Sequence, residues 1–312
     1  MIYTITLNPA LDRTLTIPFF QAGKVNRAVS VREDPGGKGI NVSKTVAALG
    51  GKSVAMGILG GNTGRIILKR IQEMGIACDF EFADAETRTN IKISDPETGT
   101  TTDINEKGTV DASAAEKVLL RALSVCIPGD IFVIAGKFDT AKADIGRWIR
   151  LLNEKGALVM LDTEGEALKA GAKAHPALIK PNEEELCQLA QMTLTGEDEI
   201  AQCAMETAKR FGIRTVVVSL GGKGALFAHE DAVYKGEAIP VDTVCSVGAG
   251  DTMLAALAYG FDRGIPEQQS FAFALAAGAA AVTCPGTQSP TLQQINALAD
   301  KATIWRKLCN RS

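Results

Sequence analysis

The chain has 312 residues, 46% hydrophobic and 22% charged, with a formal net charge of −3. That composition excludes a disordered or fibrous chain and suits an ordinary globular protein. The charge shows no basic block that would recruit nucleic acid, and the most apolar stretch, Phe271 to Val282, is too short to cross a bilayer, so no membrane role is expected.

In chain order, Ile2–Leu7 reads as a buried strand and not as a secretory signal, which would need a basic start and a longer apolar run. Further strands are expected at Ser53–Leu59, Ile131–Ile134, Leu158–Leu161, Ala177–Ile179 and Thr215–Ser219. Helical patterns follow or intervene at Gly39–Leu49, Gly64–Met74, Ser113–Ser124, Lys142–Glu154, Glu183–Gln191 and Ile200–Phe211. Gly50, Gly75, Gly156 and Gly212 fall where these helices should end. The alternation implies a mostly parallel sheet with helices on both faces. The last third reads as helices over 251–263, 266–283 and 291–308. Two regions interrupt the pattern. Arg13–Ile17 and Lys24–Val31 look like short exposed strands, and Arg88–Asn105 looks like a hairpin turning at Asp95-Pro-Glu-Thr-Gly99. Strand periodicity puts Arg88, Asn90 and Lys92 on one face of that hairpin and Thr89, Ile91 and Ile93 on the other. The pieces read equally as a small sheet over the mouth of the main sheet or as a plain solvated hairpin.

The seven cysteines are scattered without C-x-x-C spacing, and His175 and His229 stand alone. Neither a disulfide frame nor a zinc site is indicated, and a reducing cytoplasm is expected.

Four glycine-rich or strand-end motifs carry candidate chemistry. Gly36-Gly37-Lys38-Gly39-Ile-Asn41 opens a helix and offers close backbone approach. It is not a P-loop, and at Gly51-Lys52-Ser53 Val46 stands where the first glycine would be. Lys180-Pro-Asn182-Glu-Glu-Glu185 follows a strand end. Asn182 and Glu185 share one helix face, where they either organise a magnesium ion through water or form a helix-capping box. Val216 to Gly224 runs a strand into glycines that could lie along a nucleotide or make a simple turn. Val247-Gly248-Ala249-Gly250-Asp251 combines an anion cradle with a carboxylate, either a base for phosphoryl transfer or a helix N-cap.

Taken in order with Thr6-Leu-Asn-Pro-Ala-Leu-Asp12 and Thr87-Arg88-Thr-Asn90, these motifs resemble the PfkB family of ribokinase-like carbohydrate kinases over essentially the whole chain. The similarity is greatest to its sugar-phosphate branch of 1-phosphofructokinases, tagatose-6-phosphate kinases and minor 6-phosphofructokinases. The resemblance implies one three-layer α/β/α kinase domain over 1–312, with lid segments at about 13–35 and 88–106. It implies ATP-dependent phosphorylation of a ketohexose monophosphate, with fructose 1-phosphate or fructose 6-phosphate ahead of tagatose 6-phosphate. Asp251 would be the general base and Gly248, Ala249 and Gly250 the anion hole. Lys180, Asn182, Ser219, Gly221 and Gly224 would bind ATP, and Asn182 and Glu185 would hold Mg2+ through water. Asp12, Gly37 and Asn41 would hold sugar hydroxyls, and Lys24 and Arg88 the substrate phosphate. A K+ ion would sit on backbone at Cys245 and Val247, and two lids would pair in a homodimer. One departure stands out. Relatives usually carry Ser-Gly-Ser-Leu-Pro where this chain has Ala135-Gly-Lys137-Phe-Asp139, which makes Lys137 a candidate third cation and leaves the identity of the sugar open. A kinase for an unphosphorylated sugar or nucleoside, or a non-catalytic sugar-phosphate sensor, are the alternatives. Two cations with no phosphate to bind weigh against the first, and a base in the anion hole weighs against the second.

Overall fold

The computed structural model describes residues 1–307. The first strand, β1 (Ile2–Thr6), leads into β2 (Ala10–Thr16) and β3 (Ser30–Gly36), then α1 (Lys38–Ala48), β4 (Ser53–Gly60), α2 (Gly61–Glu73) and β5 (Ala77–Ala83). A hairpin, β6 (Arg88–Asp95) and β7 (Thr100–Asn105), precedes α3 (Ala112–Val125), β8 (Ile131–Ala135), α4 (Ile145–Glu154), β9 (Leu158–Asp162), α5 (Gly165–Ala172) and β10 (Leu178–Ile179). Next come α6 (Glu183–Ala190), α7 (Glu197–Phe211), β11 (Thr215–Ser219), β12 (Ala225–His229) and β13 (Ala232–Gly236). Three helices, α8 (Ala249–Asp262), α9 (Glu267–Ala281) and α10 (Leu292–Ala299), and a last strand, β14 (Ile304–Lys307), complete the described residues.

Ten strands form one sheet in the order β14-β13-β12-β11-β10-β9-β8-β1-β4-β5. From β5 to β11 all pairings are parallel; β12, β13 and β14 add on antiparallel. Because side chains alternate across a strand, each central strand feeds two cores. Phe132 and Ile134 of β8 pack with α3 to α7, while Ile131 and Val133 face α1, α8 and α9. The strands read as continuous apolar runs because both faces are covered. The expected layered α/β architecture is therefore present, including its mostly parallel sheet.

A second, four-stranded sheet has the order β3-β2-β6-β7. Its register pairs Asp12 with both Asp34 and Asn90, so one face carries Asp12, Asp34, Arg88, Asn90 and Lys92. The other carries Leu15, Val31, Ile91 and Ile104. The two interrupting regions thus build one separate sheet.

Two expectations need correction. The strand expected at Lys24–Val31 lies instead at Ser30–Gly36. Residues 17–29 form a loop held partly by side chains: Phe19 and Phe20 N–H donate to the Asp95 carboxylate, each at 3.0 Å, and Gln21 N–H to Asn26 Oδ1 at 3.0 Å, while Lys24 N–H turns back to the Gln21 carbonyl at 3.3 Å. Asn26 Nδ2 also donates to the Gln21 and Lys24 carbonyls, so the start of the expected strand is engaged in a local turn rather than a ladder. The helix expected over 291–308 stops at Ala299, and Ile304–Lys307 is a strand on the open edge of β13. Residue 308, like Cys309, lies outside the described residues; the six cysteines within them are unpaired.

Candidate active site

Parallel sheets bind ligands beyond the carboxyl ends of their strands. Here those ends deliver Asp162 from β9, Lys180 just after β10 and Ser219 from β11, and helices α1 and α8 open toward the same crevice.

The start of α1 is set by contact with β1. Gly37 takes a φ of 121°, and Gly39 lies so close to β1 that a methyl there would collide with Thr6 Oγ1 and sit 2.9 Å from the Ile5 carbonyl. Ile40 N–H donates to Thr6 Oγ1 at 3.1 Å, capping the helix from outside. This seat aims Lys38 and Asn41 into the crevice. Lys38 Nζ lies 2.9 Å from Asp162 Oδ1, and Lys180 Nζ lies 3.0 Å from Asp162 Oδ2. Burial works against ionising Asp162, but the two lysines outweigh it and hold the carboxyl below its usual range. Burial likewise works against charging Lys38; the neighbouring Asp162 more than reverses this and holds the ammonium above its usual range.

Helix α8 begins at Gly248, in the left-handed region at φ 85°. Its first-turn N–H groups have no partners within the helix, and Ala249 N–H makes only a long bond, 3.4 Å, to the Ser246 carbonyl. Gly250 packs against Lys180, where a methyl would come 3.1 Å from Nζ. Asp251 is buried in the first turn, and its Oδ2 accepts from Asn41 Nδ2 at 2.8 Å. The Asn41 amide is oriented in turn by Lys44, whose Nζ donates to Asn41 Oδ1 (3.2 Å), the Pro35 carbonyl (3.1 Å) and Thr287 Oγ1 (3.4 Å). Burial, helped by the negative charge of Asp162, pushes the Asp251 carboxyl up to about 6; the Asn41 hydrogen bond, Lys38 and Lys180 oppose this.

The residues singled out in the sequence divide in two. Asn41, Lys180, Gly248, Ala249, Gly250 and Asp251 converge as described. Asn182 and Ser219 bridge each other, which places the starts of α6 and of the Gly221–Gly224 turn side by side. On the second sheet, Asp12 Oδ1 accepts from Asn90 Nδ2 at 2.8 Å, and Asn90 Oδ1 accepts from Arg88 at 3.3 Å. Gly36, next to Gly37, lies against Asp12 Oδ2.

Asn182 and Glu185 form a full capping box: Glu185 N–H donates to Asn182 Oδ1 and Asn182 N–H to Glu185 Oε2, both at 2.8 Å. Burial nonetheless pushes the Glu185 carboxyl up, beside Lys38, Asp162 and Lys180. Arg88 also donates to the Asn8 and Glu106 carbonyls at 3.4 and 3.2 Å. Lys137 is exposed and paired with Glu164 at 2.7 Å. Lys24 lies in the 17–29 loop, which leaves the Thr16 end of β2; Arg88 pairs with Ala10 at the other end, about 20 Å away at strand rise. Within one chain, Lys24 and Arg88 are not brought together. Cys245 N–H donates to the Val282 carbonyl at 3.1 Å, so the loop holding Cys245 and Val247 runs beside the one after α9.

Lys38, Lys44 and Asp162 were missed. Lys38 sits inside a motif valued for its glycines, and Asp162 ends an apolar run; a carboxylate at a strand's carboxyl end was the available signal.

Two helix N-termini and two lysines on a buried carboxylate form a site suited to phosphoryl transfer. Residues 4–294 match the pfkB family carbohydrate kinases, and the chain belongs to that family. The 1-phosphofructokinase of Haemophilus influenzae is 33% identical over 97% of both chains. The tagatose-6-phosphate kinase of Staphylococcus epidermidis is 32% identical, over 83% of this chain and 85% of its own. Phosphofructokinase-2 from Escherichia coli, solved in complex with potassium, superposes with a TM-score of 0.91 at 28% identity, over 96% of this chain and 98% of that one. The family expected from the motifs is thereby established.

Proposed function

We propose that this enzyme transfers the γ-phosphoryl group of ATP to a ketohexose monophosphate, with Asp251 as general base. Fructose 1-phosphate and fructose 6-phosphate are the first candidates, then tagatose 6-phosphate, in line with the names of its relatives. The observation that carries the reading is the Asp251 carboxylate, buried at the mouth of α8 and held at 2.8 Å by Asn41. A carboxyl titrating near 6 suits a base working near neutrality. Asp251 takes the proton of the attacking sugar hydroxyl. The N–H groups of Gly248 to Asp251, with Lys180 and Lys38, meet the charge on the phosphoryl oxygens. Asp12, with Gly37 and Asn41, positions the sugar ring, and Arg88 supports its phosphate.

The donor set fits magnesium carried on phosphate oxygens. Asp162 has both oxygens on lysines and Glu185 has one in the capping box, so Glu185 and Asn182 reach the ion through water. Bound magnesium would neutralise charge between the β- and γ-phosphates. A K+ ion on the Cys245 and Val247 backbone is supported by the adjoining loops and by the potassium complex of the related enzyme. The chain acts as one kinase domain in the cytoplasm, and the second sheet closes over the sugar as a lid. Exposed Phe19, Val25, Val29, Val31 and Ile104 on the loop and outer face of that sheet support pairing of two lids in a homodimer.

The test is ATP turnover against a panel of hexose monophosphates and their parent sugars, with Asp251→Asn alongside. Loss of a general base lowers kcat by about 10²–10⁴-fold with little change in ligand binding. A variant within a few-fold of the parent would leave Asp251 as a helix cap only. Parent sugars turned over as well as their phosphates would exclude the sugar-phosphate reading.

A further inference from the structure

Lys235 lies on β13, where period-two alternation sets it on the same buried face as Val233. It is 1% exposed, a charged group where an apolar side chain would fit the pattern. Its Nζ donates at 2.7 Å to Glu197 Oε2, at the start of α7, and at 2.7 Å to the Lys223 carbonyl. Glu197 Oε1 is held in turn by Lys307 of β14 at 2.9 Å.

Lys223 belongs to the turn that follows β11. That turn is short and exposed, and it is built mostly of glycine. Backbone bonds close it internally, from Leu220 N–H to the Gly224 carbonyl (2.9 Å) and from Gly224 N–H to the Gly221 carbonyl (3.1 Å). Its two ends are fixed by the Ser219–Ala225 pair, by buried Leu220 and by Gly224 packed on the Gly236 backbone, whereas exposed Gly221, Gly222 and Lys223 between them have no apolar side chain to anchor them. Lys235 supplies a grip on that middle part, at the Lys223 carbonyl, from a strand paired on both sides.

Stability alone is a poor reason to bury this lysine. Exchanging a buried ion pair for well-packed apolar groups is often neutral or stabilising. We propose that Lys235 is a positioning residue that fixes the Gly221–Gly224 turn, through the Lys223 carbonyl, for contact with the nucleotide. The inference rests on the assignment of this turn to ATP.

The experiment compares Lys235→Met and Glu197→Gln with the parent enzyme. ATP binding is measured by calorimetry, KM for ATP and for the sugar phosphate by steady-state kinetics, backbone amide exchange over 220–224 by mass spectrometry, and folding by thermal melt. In Lys235→Met, losing one hydrogen bond to a charged donor should raise KM for ATP about 10-fold or more. KM for the sugar phosphate should move less than twofold, amide exchange over 220–224 should quicken, and the melting temperature should fall, because Glu197 and the Lys223 carbonyl each lose a donor. Glu197→Gln leaves the grip on Lys223 in place but loosens Lys235. It should shift KM for ATP the same way by a smaller factor, and it provides the test if Lys235→Met does not fold. Unchanged ATP binding in a folded variant would overturn the proposal, as would equal rises in both KM values. A parent enzyme that binds no ATP would instead remove the assignment on which the proposal stands.

Discussion

Asp251 has an ordinary pKa of 3.8 and is lifted to about 6, first by burial and then by the charge of Asp162. A protonated carboxyl cannot accept a hydroxyl proton, so kcat/KM should fall on the acid side with an apparent pKa near 6. A flat profile between pH 5 and 8 would exclude Asp251 as the titrating base. The same shift has a cost for folding. Because the folded-state value is the higher one, the stabilising contribution of this group is complete below 3.8 and lost as the pH rises through about 6. At pH 8 the folded protein carries an ionised carboxylate at a penalty of about 3 kcal/mol, taken from the difference between the two values. Asp251→Asn should therefore melt higher than the parent at pH 8, with the gain vanishing toward pH 4; a lower melting temperature at pH 8 would contradict this. Glu185 offers a second residue-scale test. If it meets magnesium through water, Glu185→Gln raises the magnesium concentration needed for half-maximal rate. If it only closes the capping box with Asn182, the change costs about 0.5–2 kcal/mol in a melt and leaves the magnesium titration unmoved.

Helix α1 shows how an element places a site. Its start depends on Gly39 lying flat against Thr6, and Lys38 and Asn41 inherit their directions from that contact. Gly39→Ala should push the helix off β1, costing about 1–3 kcal/mol by overpacking. It should also lower kcat, because Asn41 would leave Asp251. A melt and a kcat measurement on one preparation check both; an unaffected kcat would show that the seat of α1 does not govern the site. The same scale explains what was legible beforehand. The parallel core was readable because β1, β4, β8 and β9 are buried on both faces and appear as unbroken apolar runs. The glycine clusters at 36–39 and 248–250 were readable because close approach demands small residues. The Lys38–Asp162 pair was not, because 124 residues separate its members and only the sheet order joins them. Nor was β14 readable, since Ile304–Lys307 is short and becomes a strand only by pairing with β13. Arg88 was correctly set on the polar face of its hairpin by period two, yet its engagement with the Asn8 and Glu106 carbonyls depends on chain segments that periodicity does not describe.

At the scale of the molecule, the second sheet has a polar face toward the site and an apolar face away from it. Phe19 is 65% exposed and Val25 83%. Exposed apolar residues gathered on one surface mark a contact. If two lids pair, Phe19→Glu should shift sedimentation from dimer toward monomer and raise KM for the sugar, whose lid is then unsupported. A parent enzyme that sediments as a monomer at micromolar concentration would rule the pairing out. The opposite edge of the main sheet carries a different kind of dependence. Lys307 holds Glu197, Glu197 holds Lys235, and Lys235 holds the turn at Lys223. The Lys235 grip on the Lys223 carbonyl uses residues that all precede α8, whereas the Lys307 hold on Glu197 belongs to a strand more than fifty residues beyond the start of α8. Until β14 docks on β13, Lys235 holds Glu197 without the second lysine that Lys307 supplies at the other carboxylate oxygen. If the Gly221–Gly224 turn holds ATP, the edge of the sheet farthest along the chain is what completes the support of the nucleotide.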